Sequence, residues 1–158
     1  MGPKSMQLNS SKINQIADPE IGVIHDSKTI ADATKIISEI NVSDLMVINS
    51  EHEFIGTLSE GDLIRAAIPT YEEVENLGEA TLKQAFKLFI DNGNKYASEP
   101  FLHLIITDPI TLSPDDELLT AATIMVQKQI RRLPVVSDGK FVGSVSRADL
   151  CQALFLPH

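Results

Sequence analysis

One unit is written twice in this chain, and that repetition restricts the possible folds more than any other feature. The stretch Thr29–Ala66, "TIADATKIISEINVSDLMVINSEHEFIGTLSEGDLIRA", lies over Glu117–Ala153, "ELLTAATIMVQKQIRRLPVVSDGKFVGSVSRADLCQA". Ile30 falls on Leu118, Ala33 on Ala121 and Ile37 on Met125. Val42 then falls on Ile130, Leu45 on Leu133, and Val47-Ile48 on Val135-Val136. After one extra residue in the first copy, "FIGTLSEGDL" meets "FVGSVSRADL". Asp18-Pro19 leads into the first copy much as Asp108-Pro109 leads into the second, and Gly22 is taken to stand where Thr111 does.

Both copies read as the same run of elements. Ile30, Ala33, Ile36, Ile37 and Ile40 recur at helical spacing, as do Leu118, Ala121, Ala122 and Met125. "LMVI" and "LPVV" are short apolar runs between polar residues, the pattern of buried strands. "SEHE" and "SDGK" predict hairpin turns, the second through its Asp-Gly pair. "GVIH" and "PITL" are the opening strands, "FIGTL" and "FVGSV" the return strands, and "GDLIRAAI" and "ADLCQALF" short closing helices. The expected class is α+β: two tandem β-α-β-β-α repeats packed with pseudo-twofold symmetry. A copy of about 50 residues buries too little surface to stand alone, so the two must share a core.

This reading divides the chain into an N-terminal segment (1–17), a first repeat (18–68), a helical insert (69–105) and a second repeat (106–158). In the insert, Pro69 and the following "TYEE" predict a capped, short acidic helix that breaks near Gly78. A second helix carries Leu82, Ala85, Phe86, Phe89 and Ile90 on one stripe and is expected to stop at Gly93. The two helices either cover the core or offer their phenylalanines as a dimer surface.

Composition narrows the function by exclusion. The chain holds 22 acidic and 13 basic side chains, a net charge of −9, with no basic tract. Nucleic-acid binding draws on neutralising several phosphates, so this balance argues against it, and against an acidic membrane surface. No apolar run approaches the ~20 residues that span a bilayer. The opening "MGPKSMQLNSSK" lacks the apolar core of a secretory signal, and its second Met at position 6 is what a leftover expression tag leaves. A single cysteine, Cys151, precludes an intrachain disulfide and fits a reducing cytoplasm. His25, His52, His103 and His158 lack metal-ligand spacing, and no nucleophile–base pair or glycine-rich phosphate loop marks a catalytic residue. Asp115-Asp116-Glu117 reads as a helix start that complements the dipole, and Cys151 as a core residue of the last helix.

The repeated pattern strand–helix–"LPVV"–turn–"hhGhhS-x-x-DL", with h apolar, resembles the cystathionine β-synthase (CBS) domain over Asp18–Ala67 and Ile106–Leu154. The resemblance implies a stand-alone regulatory pair that requires no cofactor and performs no chemistry on its ligand. It also implies an adenosine-containing ligand (AMP, ADP, ATP or S-adenosylmethionine) in a cleft between the copies, signalling to a partner, and a homodimer. Carried over by residue, the preferred cleft joins Ser59 and Asp62 to Thr111, Ile130, Arg131 and Arg132. The second joins Ser146, Arg147 and Asp149 to Val23, Val42 and Ser43.

These residue types suit such a ligand. A carboxylate accepts from ribose hydroxyls, a serine and a helix N-terminus suit phosphate oxygens, and arginine forks bind phosphate through charge-assisted pairs. Residues 18–66 carry ten acids and three bases, whereas 108–153 carry six and five. Ser43 and Asp44 stand where the second copy has Arg131 and Arg132. The cleft receiving the arginines is therefore the expected phosphate site, while the Ser146 cleft is expected to face Asp44. The alternative, from another class, is a ligand-free dimerisation scaffold. There Ser59-x-x-Asp62 and Ser146-x-x-Asp149 only cap helices, at about 1 kcal/mol each, and the arginines only pair with surface acids.

Overall fold

The structure is a computed structural model that describes residues 11–76 and 82–156. The first copy supplies β1 (Val23–His25), α1 (Ile30–Ile40), β2 (Asp44–Ile48), β3 (Phe54–Ser59) and α2 (Glu60–Ala67). The insert supplies α3 (Tyr71–Asn76) and α4 (Leu82–Tyr96). The second copy supplies α5 (Leu118–Lys128), β4 (Arg132–Ser137), β5 (Lys140–Ser146) and α6 (Arg147–Phe155). The result is α+β with two like repeats, as the sequence requires. Among the described residues no helix is long and apolar enough to cross a membrane.

Local chemistry explains the element ends. Thr29 caps α1 in a reciprocal box with Asp32, and Thr70 does the same with Glu73 at the start of α3. Helices α1 and α5 both end on a left-handed residue, Asn41 and Gln129, each at φ 55°. The β4–β5 hairpin turns through Asp138 and Gly139, both at positive φ, which is the geometry an Asp-Gly turn favours.

Sheet register exposes one asymmetry between the copies. In the first sheet β1 runs parallel to β2, and Met46 N–H donates to Gly22 O at 2.6 Å. Pro134 stands in place of Met46 and has no N–H to donate. "PITL" therefore forms no strand and is held only at Leu112, which donates to Pro134 O and accepts from Val136 N–H, each at 2.8 Å. Leu112 opposes Val135 as Ile24 opposes Val47, so Thr111 is the counterpart of Val23 and not of Gly22.

The segments leading into each copy cross over to the other. Asp18 pairs with Ser144 of β5, and Ile106 pairs with Thr57 of β3. Ile13 and Ile16, ahead of the first copy, fill the core of the second beside Leu133, Val135 and Met125. Phe101, Leu104 and Ile105, ahead of the second copy, fill the core of the first beside Leu45, Val47 and Leu58. The hairpins meet along Met46, Ile48 and Phe141, with Phe54 and Phe141 stacked at 6.3 Å.

Besides the "PITL" strand, two sequence expectations fail for identifiable reasons. Helix α4 does not stop at Gly93 but runs to Tyr96, because its next carbonyls and N–H groups still pair along the helix: Ala97 N–H reaches Gly93 O. Cys151 is exposed rather than core, since α6 buries the Leu150 and Ala153 face. Asp115, Asp116 and Glu117 do lead into a helix: Glu117 holds the N-cap position of α5 and pairs with Lys12, while Asp116, just ahead of it, accepts from Ser113 N–H. The expected break near Gly78 lies outside the described residues.

Candidate functional site

Both Ser-x-x-Asp motifs form helix caps, and both caps open onto the junction of the repeats. Ser59 Oγ accepts from Asp62 N–H at 3.2 Å, while Asp62 Oδ2 accepts from Ser59 N–H and Oγ–H, each at 2.9 Å. Arg65 donates to the other Asp62 oxygen, and the aspartate is only 5% exposed. At the second motif Ser146 Oγ accepts from Asp149 N–H at 3.0 Å, and Asp149 Oδ2 accepts from Ser146 N–H at 2.8 Å. Its Oδ1 has no donor among the described residues. Each serine thus begins a helix whose positive end faces a cleft.

Two clefts flank these caps. The one beside Ser59 has a volume of about 380 Å³. Asp44, Thr57 and Ser59 from the first copy face Arg131 and Arg132 from the second, and Ile106, Pro109, Ile110 and Ile130 form an apolar wall. The one beside Ser146 measures about 270 Å³ and gathers Val42, Ser43, Ser146, Arg147 and Ala148, with Arg131 and Arg132 again. Arg132 is steadied by a 2.8 Å hydrogen bond to Ser144 Oγ.

The structure therefore brings together Ser59, Ile130, Arg131 and Arg132 in the first cleft, and Val42, Ser43, Ser146 and Arg147 in the second. Asp62 and Asp149 sit behind the walls, in the caps. Thr111 is exposed outside the first cleft, and Val23 lines a separate hollow with Ile24, His25 and Lys28. Asp44 does not face Ser146. Strand pairing sets it opposite Ser59, so the carboxylate enters the Ser59 cleft.

Sequence reasoning missed two features. The apolar wall at Ile106, Pro109 and Ile110 depends on the crossing of the lead-in segment, which no local pattern encodes. The presence of both arginines in both clefts depends on how closely the repeats pack. The position of Asp44 was legible, because pairing "DLMVI" with "FIGTLS" as a hairpin puts it beside Ser59.

Two repeats interlocked around two clefts define a tandem-repeat module. The chain belongs to the CBS domain family, whose profile matches residues 13–69 and 102–156. An uncharacterised 17.7 kDa protein of Acidianus ambivalens is 29% identical over 150 residues, covering 94% of this chain and 76% of its own. CBSX2, a CBS-pair protein of Arabidopsis thaliana, superposes with a TM-score of 0.67 at 25% identity, over 90% of this chain and 92% of its own. The crystal structure of CBSX2 in complex with AMP gives a TM-score of 0.69 at 23% identity, over 91% and 96% of the two chains.

Proposed function

We propose that this protein is a sensor module that binds an adenine nucleotide between its two repeats and reports occupancy to a partner protein. One observation carries the reading: Arg131, Arg132 and the capped N-terminus of α2 converge on a cleft with an apolar wall. Its volume of about 380 Å³ is in the range of small-molecule sites. The wall suits an adenine ring, and the guanidinium forks suit a phosphate. The complex of CBSX2 with AMP, in the same family, supports this assignment. The donors and the apolar wall account for holding such a ligand, and the reading is one of binding rather than catalysis.

A homodimer belongs to the same reading. Helices α5 and α6 present Leu119, Val126, Leu154 and Phe155, each more than half exposed, as an apolar face fit for a second copy. A cytoplasmic location fits the same reading, as does the single cysteine. Binding shifts the packing of repeats or protomers only through a difference in affinity between two arrangements.

Thermal melts with AMP, ADP, ATP and S-adenosylmethionine test the proposal. A ligand at 100 times its dissociation constant adds about 2.7 kcal/mol, a rise of about 5–10 °C for a chain of this size. No rise with any of the four at millimolar concentration leaves the ligand-free scaffold as the better account.

A further inference from the structure

Arg131 and Arg132 line both clefts, and no other described residue does. From this we propose that the two clefts are antagonistic: a phosphate bound in one weakens phosphate binding in the other. The inference rests on the nucleotide reading above and goes beyond it, because it concerns how two occupancies interact.

A guanidinium has five N–H donors but a single charge on a single side chain, so a bidentate pair with a phosphate in one cleft draws its charge and its best-aimed donors away from the other. Two phosphates in adjacent clefts therefore divide two forks between them, and they also repel each other at short range. The clefts are unequal in what remains. The Ser146 cleft retains Arg147, whereas the Ser59 cleft retains Asp44, which opposes an anion.

The backbone links the clefts a second time. Arg147 N–H, the first of α6, donates to Arg131 O at 3.1 Å, so drawing Arg131 towards the Ser59 cleft pulls on the helix start at the Ser146 cleft. The mirrored tie runs from Glu60 N–H, the first of α2, to Ser43 O at 3.0 Å, and Ser43 lines the Ser146 cleft. Coupling of this kind is reciprocal, since it is a free energy shared by the two sites.

The test is calorimetric titration of AMP into three proteins: the natural chain, Ile110→Trp and Ala148→Trp. Ile110 lines only the Ser59 cleft and Ala148 only the Ser146 cleft; both are exposed, so each tryptophan fills one cleft without entering the core. Melting curves confirm that both variants fold. Each variant is expected to bind one AMP. The natural chain is expected to bind a first AMP as tightly as the better variant and a second about tenfold or more weakly than the other variant does. Adding Arg131→Gln to each blocked variant is expected to weaken both.

Two AMP molecules bound with the affinities of the separate variants overturn the antagonism. So does failure of either variant to bind, which leaves one working cleft, or an effect of Arg131→Gln on one cleft alone. If AMP binds none of the proteins, AMP is not the ligand, the melts with all four ligands decide the nucleotide reading, and the same titrations with inorganic pyrophosphate decide the antagonism by the same criteria. Absence of pyrophosphate binding as well refutes the shared arginine site.

Discussion

Gly56 and Gly143 occupy the same place in the two copies, the third residue of "FIGTL" and "FVGSV", and both lie where the opposite lead-in crosses the return strand. A Cβ on Gly56 would fall well inside 3.0 Å of Ile106 O, a backbone atom fixed by its own pairing with Thr57. At Gly143 the nearest atoms are Ala17 Cβ at 3.0 Å and the Asp18 carbonyl at 3.2 Å, a contact that a small shift relieves. Gly56→Ala is therefore expected to cost about 3 kcal/mol and Gly143→Ala about 1 kcal/mol, the range for overfilling a packed site. Urea unfolding of the two variants measures both; equal losses would show that the crossing strands yield alike. Both glycines were visible in the repeat alignment, but their reason was not, because it lies in a segment about 50 residues away in one case and over 120 in the other.

At the scale of elements, the helix starts show how neighbouring segments substitute for side-chain caps. Glu117, the N-cap residue of α5, makes no side-chain cap; instead the first N–H of the helix donates to Ser11 O, and Lys12 Nζ donates to Glu117 Oε1 at 2.6 Å. That contact draws the Glu117 carboxyl below its usual range and raises the Lys12 ammonium above its usual range, the hydrogen bond being the main cause for each. The signs set a window. Glu117 adds stability above its unfolded value near 4.5 and loses it as pH falls further, whereas Lys12 adds stability below 10.5 and loses it as pH rises further. Lys12→Met is thus expected to be less stable than the natural chain between about pH 5 and 10, with the gap closing on both sides. Chemical denaturation across that range measures it, and a gap independent of pH would assign the loss to packing instead. The pair is exposed, so the gap is small.

Elements differed in how far the sequence revealed them. The α1 stripe, the Asp-Gly hairpin and the Ser-x-x-Asp caps were legible because each depends on residues within a few positions of one another. The missing opening strand of the second copy was legible in principle, since Pro134 in place of Met46 removes the donor that holds β1. The walls of the Ser59 cleft were not, because Ile106 and Pro109 reach it only through the crossover. The same long-range packing put both arginines in both clefts, whereas Asp44 sits beside Ser59 through its own hairpin pairing.

For the whole molecule, the crossover means that neither repeat carries its complete core. The second needs Ile13 and Ile16, both under 10% exposed, and the first needs Phe101, which is fully buried. Leaving such positions empty costs about 2–5 kcal/mol each, comparable to the entire stability of a small unit. A chain divided after residue 78 gives one fragment holding the first repeat with the isoleucines that belong to the second core. The other holds the second repeat with the phenylalanine that belongs to the first core. Each fragment alone is expected to show collapsed NMR amide dispersion, and an equimolar mixture to recover the dispersion of the intact chain. Independent folding of either fragment would mean that the exchanged lead-ins are accessory packing. Recovery only on mixing would place the unit of folding in the pair, which follows if two incomplete copies close one shared structure around their clefts.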